Sequence, residues 1–141
     1  MGNVVPVADR TEFPSAASLD CNLGSQCTAT LITNTFLLTA ARCVVGPEGS
    51  KASTCTYSLG GLNLLNLTDE VSESFGSVTA DSIFVHPDYH PENEQSNNLA
   101  ILKLSQPVTF SPQVEAIRLF NGSLADGIFG FVTAYGIPGN E

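Results

Sequence analysis

"CTATLITNTFLLTAARCV", residues 27–44, decides the reading of this chain. Residues 27–41 are apolar, β-branched or small and carry no charge. They read as two short strands, 27–32 and 36–41, of a wall buried on one side. Arg42 then stands directly before Cys43. A long cation is a poor core residue, because a buried unpaired charge costs several kcal/mol. Either Arg42 sits where the wall meets an open cleft or this strand register is wrong; "TAARCV" (39–44) suggests one helical turn.

Working outward, the apolar periodicity stays short. "SAASL" (15–19), "TYSLG" (56–60), "GSVTADSIFV" (76–85), "LAILKL" (99–104) and "GFVTAYG" (130–136) read as further strands. "LAILKL" is too short for a free helix and is bounded by "SNN" and "SQP". Gly, Pro, Asn and Asp punctuate these runs at nearly regular spacing, the pattern of an all-β barrel or sandwich. The acidic segments 69–73 and 88–94 read as solvated loops. No internal repeat or low-complexity tract interrupts the pattern.

A chain of 141 residues suits one domain with a real core. Apolar residues make up 43%, with 12 Gly and 8 Pro, which excludes a disordered composition. No apolar run approaches the ~20 residues of a membrane-spanning helix. Five Lys and Arg face 14 Asp and Glu, a net charge of -9. Such a surface repels nucleic acid and acidic membranes and suits a basic partner. Four cysteines fit an extracellular chain with two disulfides, which can connect in three ways. With no C-x-x-C pair and two histidines, a zinc site is disfavoured and no metal or cofactor is expected. Two sequons, at Asn66 and Asn121, agree with secretion and glycosylation. Met1-Gly2 leads straight into Asn3-Val4-Val5-Pro6 without a signal peptide and reads as an added start on a mature chain.

The same residues resemble the trypsin-like (chymotrypsin-fold) serine proteases. Residues 27–44 resemble that family's C-G-G-S-L-I-…-V-L-T-A-A-H-C-V segment. "IFVHPDYHPENEQSNNLAILKLSQPVTFSPQVEAIRL" (83–119) resembles its V-H-P-x-Y, N-D-I-A-L-L-K-L and P-V-x-F run. "VVPVADRTEFPSAASL" (4–19) is similar to a degraded I-V-G-G start, and "FVTAYG" (131–136) to the V-S-G-W-G strand. The resemblance runs in order over nearly the whole chain. It implies a single six-stranded antiparallel Greek-key barrel like the family's first barrel, followed by the first strand of the second. The corresponding parts are an N-terminal arm (1–14), the barrel (15–120), and a linker with an orphan strand (121–141).

Arg42 stands where the family places its catalytic histidine. That histidine works as a general base because its pKa lies near operating pH. An arginine stays protonated and has no acceptor lone pair. Asn98 stands where the family places the aspartate that orients the histidine, and aspartate-to-asparagine in such a triad costs about 10⁴ in rate by itself. The chain stops at Glu141, before the segment that would carry the serine nucleophile, so the expectation is a chain with no catalytic residue. At the start, Pro6-Val7 replace the two glycines, and proline fixes φ and removes a donor. This segment is therefore not expected to act as an activation switch.

The resemblance also implies a Cys27–Cys43 disulfide beside the histidine position. With that bridge taken, Cys21 and Cys55 are left for each other, and the family's first barrel puts strands 15–19 and 56–60 close together. Many members bind calcium in the loop after "LG", but Gly61 replaces the first glutamate there. Asp69, Glu70 and Glu73 then read as a solvated acidic loop rather than a calcium site. His86 matches the V-H-P-x-Y turn, so a structural role outweighs a metal or catalytic one for His86 and His90.

These readings converge on a secreted, non-catalytic serine protease homologue that binds or regulates in an extracellular process. The alternatives are the N-terminal fragment of a longer trypsin-like endopeptidase homologue, or one chain of a two-chain protease. Arg42 is expected to reach solvent or a loop acid such as Glu92 or Glu94. The apolar tail, 127–136, is expected to fold back on the barrel or to pair between two copies, beside an unidentified protein partner.

Overall fold

The computed structural model describes residues 5–7, 9–24, 26–61 and 74–135. Among them the strands are β1 (Ala16–Cys21), β2 (Gln26–Leu31), β3 (Phe36–Thr39), β4 (Thr54–Leu59), β5 (Ser74–Thr79), β6 (Ile83–Val85) and β7 (Ala100–Lys103). β1, β4 and β7 bury alternate residues, as a pleat with one wet face requires, whereas β5 buries Val78 alone. β1 turns Ala17, Leu19 and Cys21 inward, β4 turns Cys55, Tyr57 and Leu59, and β7 turns Ala100 and Leu102. Leu31, Leu37, Ile83, Val44 and Val114 close the same core, all at most 1% exposed.

The strands form one antiparallel sheet in the order β5-β4-β1-β2-β3-β7-β6. Six strands were expected and seven ladder segments are found. The difference lies in 76–85, read as a single strand. A 3-10 turn at Ala80–Ser82 breaks it. Before the turn β5 pairs with β4, and after it β6 pairs with β7. A straight strand could not serve both neighbours, so the chain bends where it changes partner. Because the two ends of the sheet are consecutive in the chain, the sheet rolls round its core. The result is all-β, with two single-turn 3-10 segments as its helical content among the described residues.

Two disulfides fasten the wall. Cys21 and Cys55 are a directly opposed β1–β4 pair. Cys27, at the start of β2, bonds Cys43 in the 3-10 turn after β3. They close separations of 34 and 16 residues, each worth roughly 3–4 kcal/mol of unfolded-state entropy in the loop-closure picture.

One expectation is corrected. No strand forms over the described part of 130–136. Phe129, Phe131 and Val132 are 98%, 92% and 99% exposed. A strand needs a neighbour's ladder of hydrogen bonds, and none forms here, although Thr133 and Tyr135 are half-buried and share a pocket with Val7, Arg10 and Phe13 of the N-terminal arm. The end of this stretch is tied to the barrel. Tyr135 N–H donates to Thr28 Oγ1 at 3.0 Å, and the Tyr135 hydroxyl donates to the Gly61 carbonyl at 2.9 Å. Asn66, Asp69, Glu70 and Glu73 lie outside the described residues.

Candidate functional site

The site is built where β3 ends. Ala40 is still extended (φ -79°, ψ 141°), and the chain then tightens into the 3-10 turn Ala41–Cys43. Cys43 N–H donates to the Ala40 carbonyl at 3.1 Å, and the N–H groups of Val44 and Val45 converge on the Ala41 carbonyl at 3.0 and 2.9 Å. Ala41 is fully buried, and Cys43 is buried and held by its disulfide. A residue between two inward-facing neighbours in so tight a turn must point away from the core. Arg42 does, and it is exposed.

From the other side comes the loop before β7. Asn97 adopts the left-handed conformation (φ 57°), one that asparagine tolerates better than most residues. This bend delivers Asn98 to the turn: Asn98 Oδ1 accepts the Arg42 backbone N–H at 3.0 Å. The structure thus brings together the two residues that sequence reasoning placed at the histidine and aspartate positions. The contact is made to the backbone of residue 42, so it does not depend on which side chain residue 42 carries.

Arg42 opens onto a cleft shared with Gln26, Pro47, Tyr89, Glu92 and Glu94. Arg42 is exposed there, and Glu92 and Glu94, which line the same cleft, are exposed too. Tyr89 packs its ring into the wall, 8% exposed. Burial raises its phenol pKa, the Glu94 charge raises it further, and the Arg42 charge offsets part of the rise. These three side chains therefore share one electrostatic environment. Tyr89 ends the V-H-P-x-Y run of the sequence and lines this cleft, a place the motif does not itself imply. The signal was present in "HPDYHPENE" (86–94), where one aromatic sits among proline and acids.

His86 is occupied structurally. Its Nδ1 accepts the Asp88 N–H at 3.1 Å, and its own N–H and carbonyl bond Leu99 and Tyr89. Among the described residues no group of three or more His, Cys, Asp or Glu could hold a metal ion. Asn121 is exposed, and its sequon lies on the segment after the barrel.

Chemically the cleft can hold a ligand by charge and hydrogen bonds. A guanidinium at residue 42 has five N–H donors and no acceptor, so this group cannot take a proton from a nucleophile. Asn98, an amide, cannot stabilise a developing positive charge as a carboxylate does.

The trypsin family matches residues 5–141. The chain is 31% identical to the CLIP domain-containing serine protease B9 of Anopheles gambiae, over 92% of this chain and 36% of that protein. It is 27% identical to the CLIP domain-containing serine protease B4 of the same organism, over 77% of this chain and 32% of that protein. With vitamin K-dependent protein C of Mus musculus it shares 32% identity over 78% of this chain and 22% of that protein. Among solved structures, HL collagenase superposes with a TM-score of 0.66 at 26% identity, covering 83% of this chain and 46% of that one. The chain thus spans less than half the length of each of these relatives.

Proposed function

The chain belongs to the trypsin family, and from that premise we propose that it is a non-catalytic homologue: a secreted module that binds where its relatives cut. The observation carrying this reading is the pair Arg42 and Asn98. The 3.0 Å bond from Arg42 N–H to Asn98 Oδ1 supports placing both at neighbouring positions of one degenerate triad. A permanently protonated base cannot accept the nucleophile's proton. An amide in place of the orienting carboxylate removes the second requirement. Arg42 lines a cleft together with Glu92 and Glu94, a charged lining that suits a binding role. Two disulfides support an oxidising, extracellular setting. The exposed Asn121 sequon is the proposed carrier of a glycan.

The test has two arms. Arginine and asparagine are placed at the histidine and aspartate positions of an active trypsin-family protease. We expect kcat/KM to fall by about 10⁴ or more with the fold intact by circular dichroism. The present chain is incubated with chromogenic peptides and a serine-directed fluorophosphonate, and neither turnover nor labelling is expected. Hydrolysis by this chain that disappears in Arg42→Ala would overturn the proposal.

A further inference from the structure

The lining of the Arg42 cleft is more selective than a binding role alone requires. The cleft holds about 820 Å³, within the range of ligand sites and enough for a few residues of peptide. Its lining is drawn from within residues 23–27, 42–47 and 89–94. The Cys27–Cys43 bridge ties the first two stretches together, and Asn98 ties the loop carrying the third to the turn at Arg42.

Three charges line it, and they do not neutralise one another. Arg42, Glu92 and Glu94 are all exposed, and none of the three side chains makes an ion pair or hydrogen bond among the described residues. Tyr89 supplies a fourth polar group. It is 8% exposed and lines the same cleft. Its hydroxyl has no hydrogen-bond partner among the described residues, yet no side-chain oxygen sealed from solvent there lacks one. The hydroxyl therefore reaches the surface, at the cleft that Tyr89 lines. The charges of Glu94 and Arg42 both act on this phenol, in opposite directions, so both lie near it.

We propose that the cleft binds an extended peptide segment carrying an acidic and a basic side chain close together, the acid held by Arg42 and the Tyr89 hydroxyl, the base by Glu92 and Glu94.

The donor and acceptor inventory leads there. A guanidinium only donates, in a fork that fits a carboxylate with two parallel bonds, and a phenol O–H can donate to the same group. Ionised Glu92 and Glu94 only accept, which suits an ammonium or guanidinium. Leu23, Val45, Pro47 and Pro91 offer apolar surface for the backbone and the long stem of a basic residue. The net charge of -9 draws any basic peptide, but a purely basic one sets a like charge against Arg42, the one cation of the lining. A purely acidic one is repelled by both glutamates. The mixed pair alone satisfies all four groups.

This assignment deepens the binding reading and rests on it. Capped pentapeptides with Glu and Lys one to three positions apart are titrated into the isotope-labelled full chain and followed by NMR. Amide shifts are expected at residues 42–47 and 89–94. Changing the peptide's Glu to Gln, or its Lys to norleucine, should weaken binding about 3–5-fold each. Arg42→Gln should erase the first discrimination and keep the second. Glu92→Gln with Glu94→Gln should do the reverse, each variant keeping the parent circular-dichroism spectrum. Absence of these shifts up to millimolar peptide overturns the proposal. So does a purely basic peptide that binds better than the mixed one and is indifferent to Arg42→Gln, which would reduce the cleft to general attraction by an acidic chain. The peptide is then recovered and weighed by mass spectrometry. An intact peptide that fails to bind overturns this site and leaves the non-catalytic reading standing, whereas a bound peptide recovered cut overturns that reading and leaves the site.

Discussion

Removing the Asn98 side chain probes the site most directly. In Asn98→Ala the Arg42 N–H loses its acceptor at 3.0 Å. A typical hydrogen bond contributes about 0.5–1.5 kcal/mol net, and more is lost only when the orphaned group is sealed from water. Residue 42 lies at the cleft edge, so water can reach its N–H, and the loss should sit near 1 kcal/mol. For a domain of this size that lowers Tm by roughly 3–5 °C. Urea unfolding measures the global loss, and amide exchange at Arg42 measures the local one, expected to speed up about five-fold. Asn98→Asp keeps the acceptor and makes the bond charge-assisted, about twice as strong. Its carboxylate pKa should therefore fall in the folded state. The added stability is then present above the ordinary carboxylate range and lost as pH drops through the folded value. An Asn98→Ala protein as stable as the parent, with Arg42 exchange unchanged, would refute the idea that this bond holds the turn.

Other perturbations test the frame. Gly76 lies across from Tyr57 in the β4–β5 register, and a Cβ there would sit 2.7 Å from the Tyr57 hydroxyl oxygen. Gly76→Ala should destabilise by about 1–2 kcal/mol in urea, overpacking outweighing the roughly 0.4–1 kcal/mol gained from a stiffer unfolded chain. Removing Cys27–Cys43 by a double alanine change should cost about 3 kcal/mol and expose the 41–43 turn to limited proteolysis. Burial raises the phenol pKa of both Tyr57 and Tyr89. Absorbance near 295 nm should therefore show these two ionising above the ordinary tyrosine range. Their stabilisation is complete below about pH 10 and is lost as pH rises further, because the unfolded chain releases those protons first.

The strands that alternate strictly were legible in the sequence, because burial of one face writes itself into every second residue. "TYSLG" and "LAILKL" became β4 and β7 within two residues of their expected limits. The break at Ala80–Ser82 was not legible. Its residues are small and polar enough to continue a strand, and the reason for the turn is the change of partner from β4 to β7, a tertiary fact. The strand expected over 130–136 failed for the complementary reason: propensity alone does not make a ladder. At the site, Arg42 was conspicuous because a cation interrupts an uncharged run. The role of Asn97 was silent, since one asparagine at positive φ looks in sequence like any other loop residue.

Why the frame can outlast the chemistry follows from the turn itself. What fixes the backbone at residue 42 is the burial of Ala41 and Cys43, the Cys27 bridge, the carbonyl of Ala41 and the Asn98 amide. None of these touches the side chain of residue 42. Exchanging that side chain costs the fold little, so proton-transfer capacity and architecture can be lost independently. The same does not hold at residue 98, where the side-chain oxygen is itself a structural ligand of the turn. An aspartate there can give way to asparagine, which keeps an oxygen in place, but not to a residue without one. Of the two sites, therefore, residue 42 should tolerate almost any exposed side chain, whereas residue 98 should accept only Asn or Asp without loss. A saturation library at both positions, sorted on folded protein rather than activity, should return a broad distribution at 42 and a narrow one at 98. Equal breadth at the two would mean the Asn98 bond carries no structural weight.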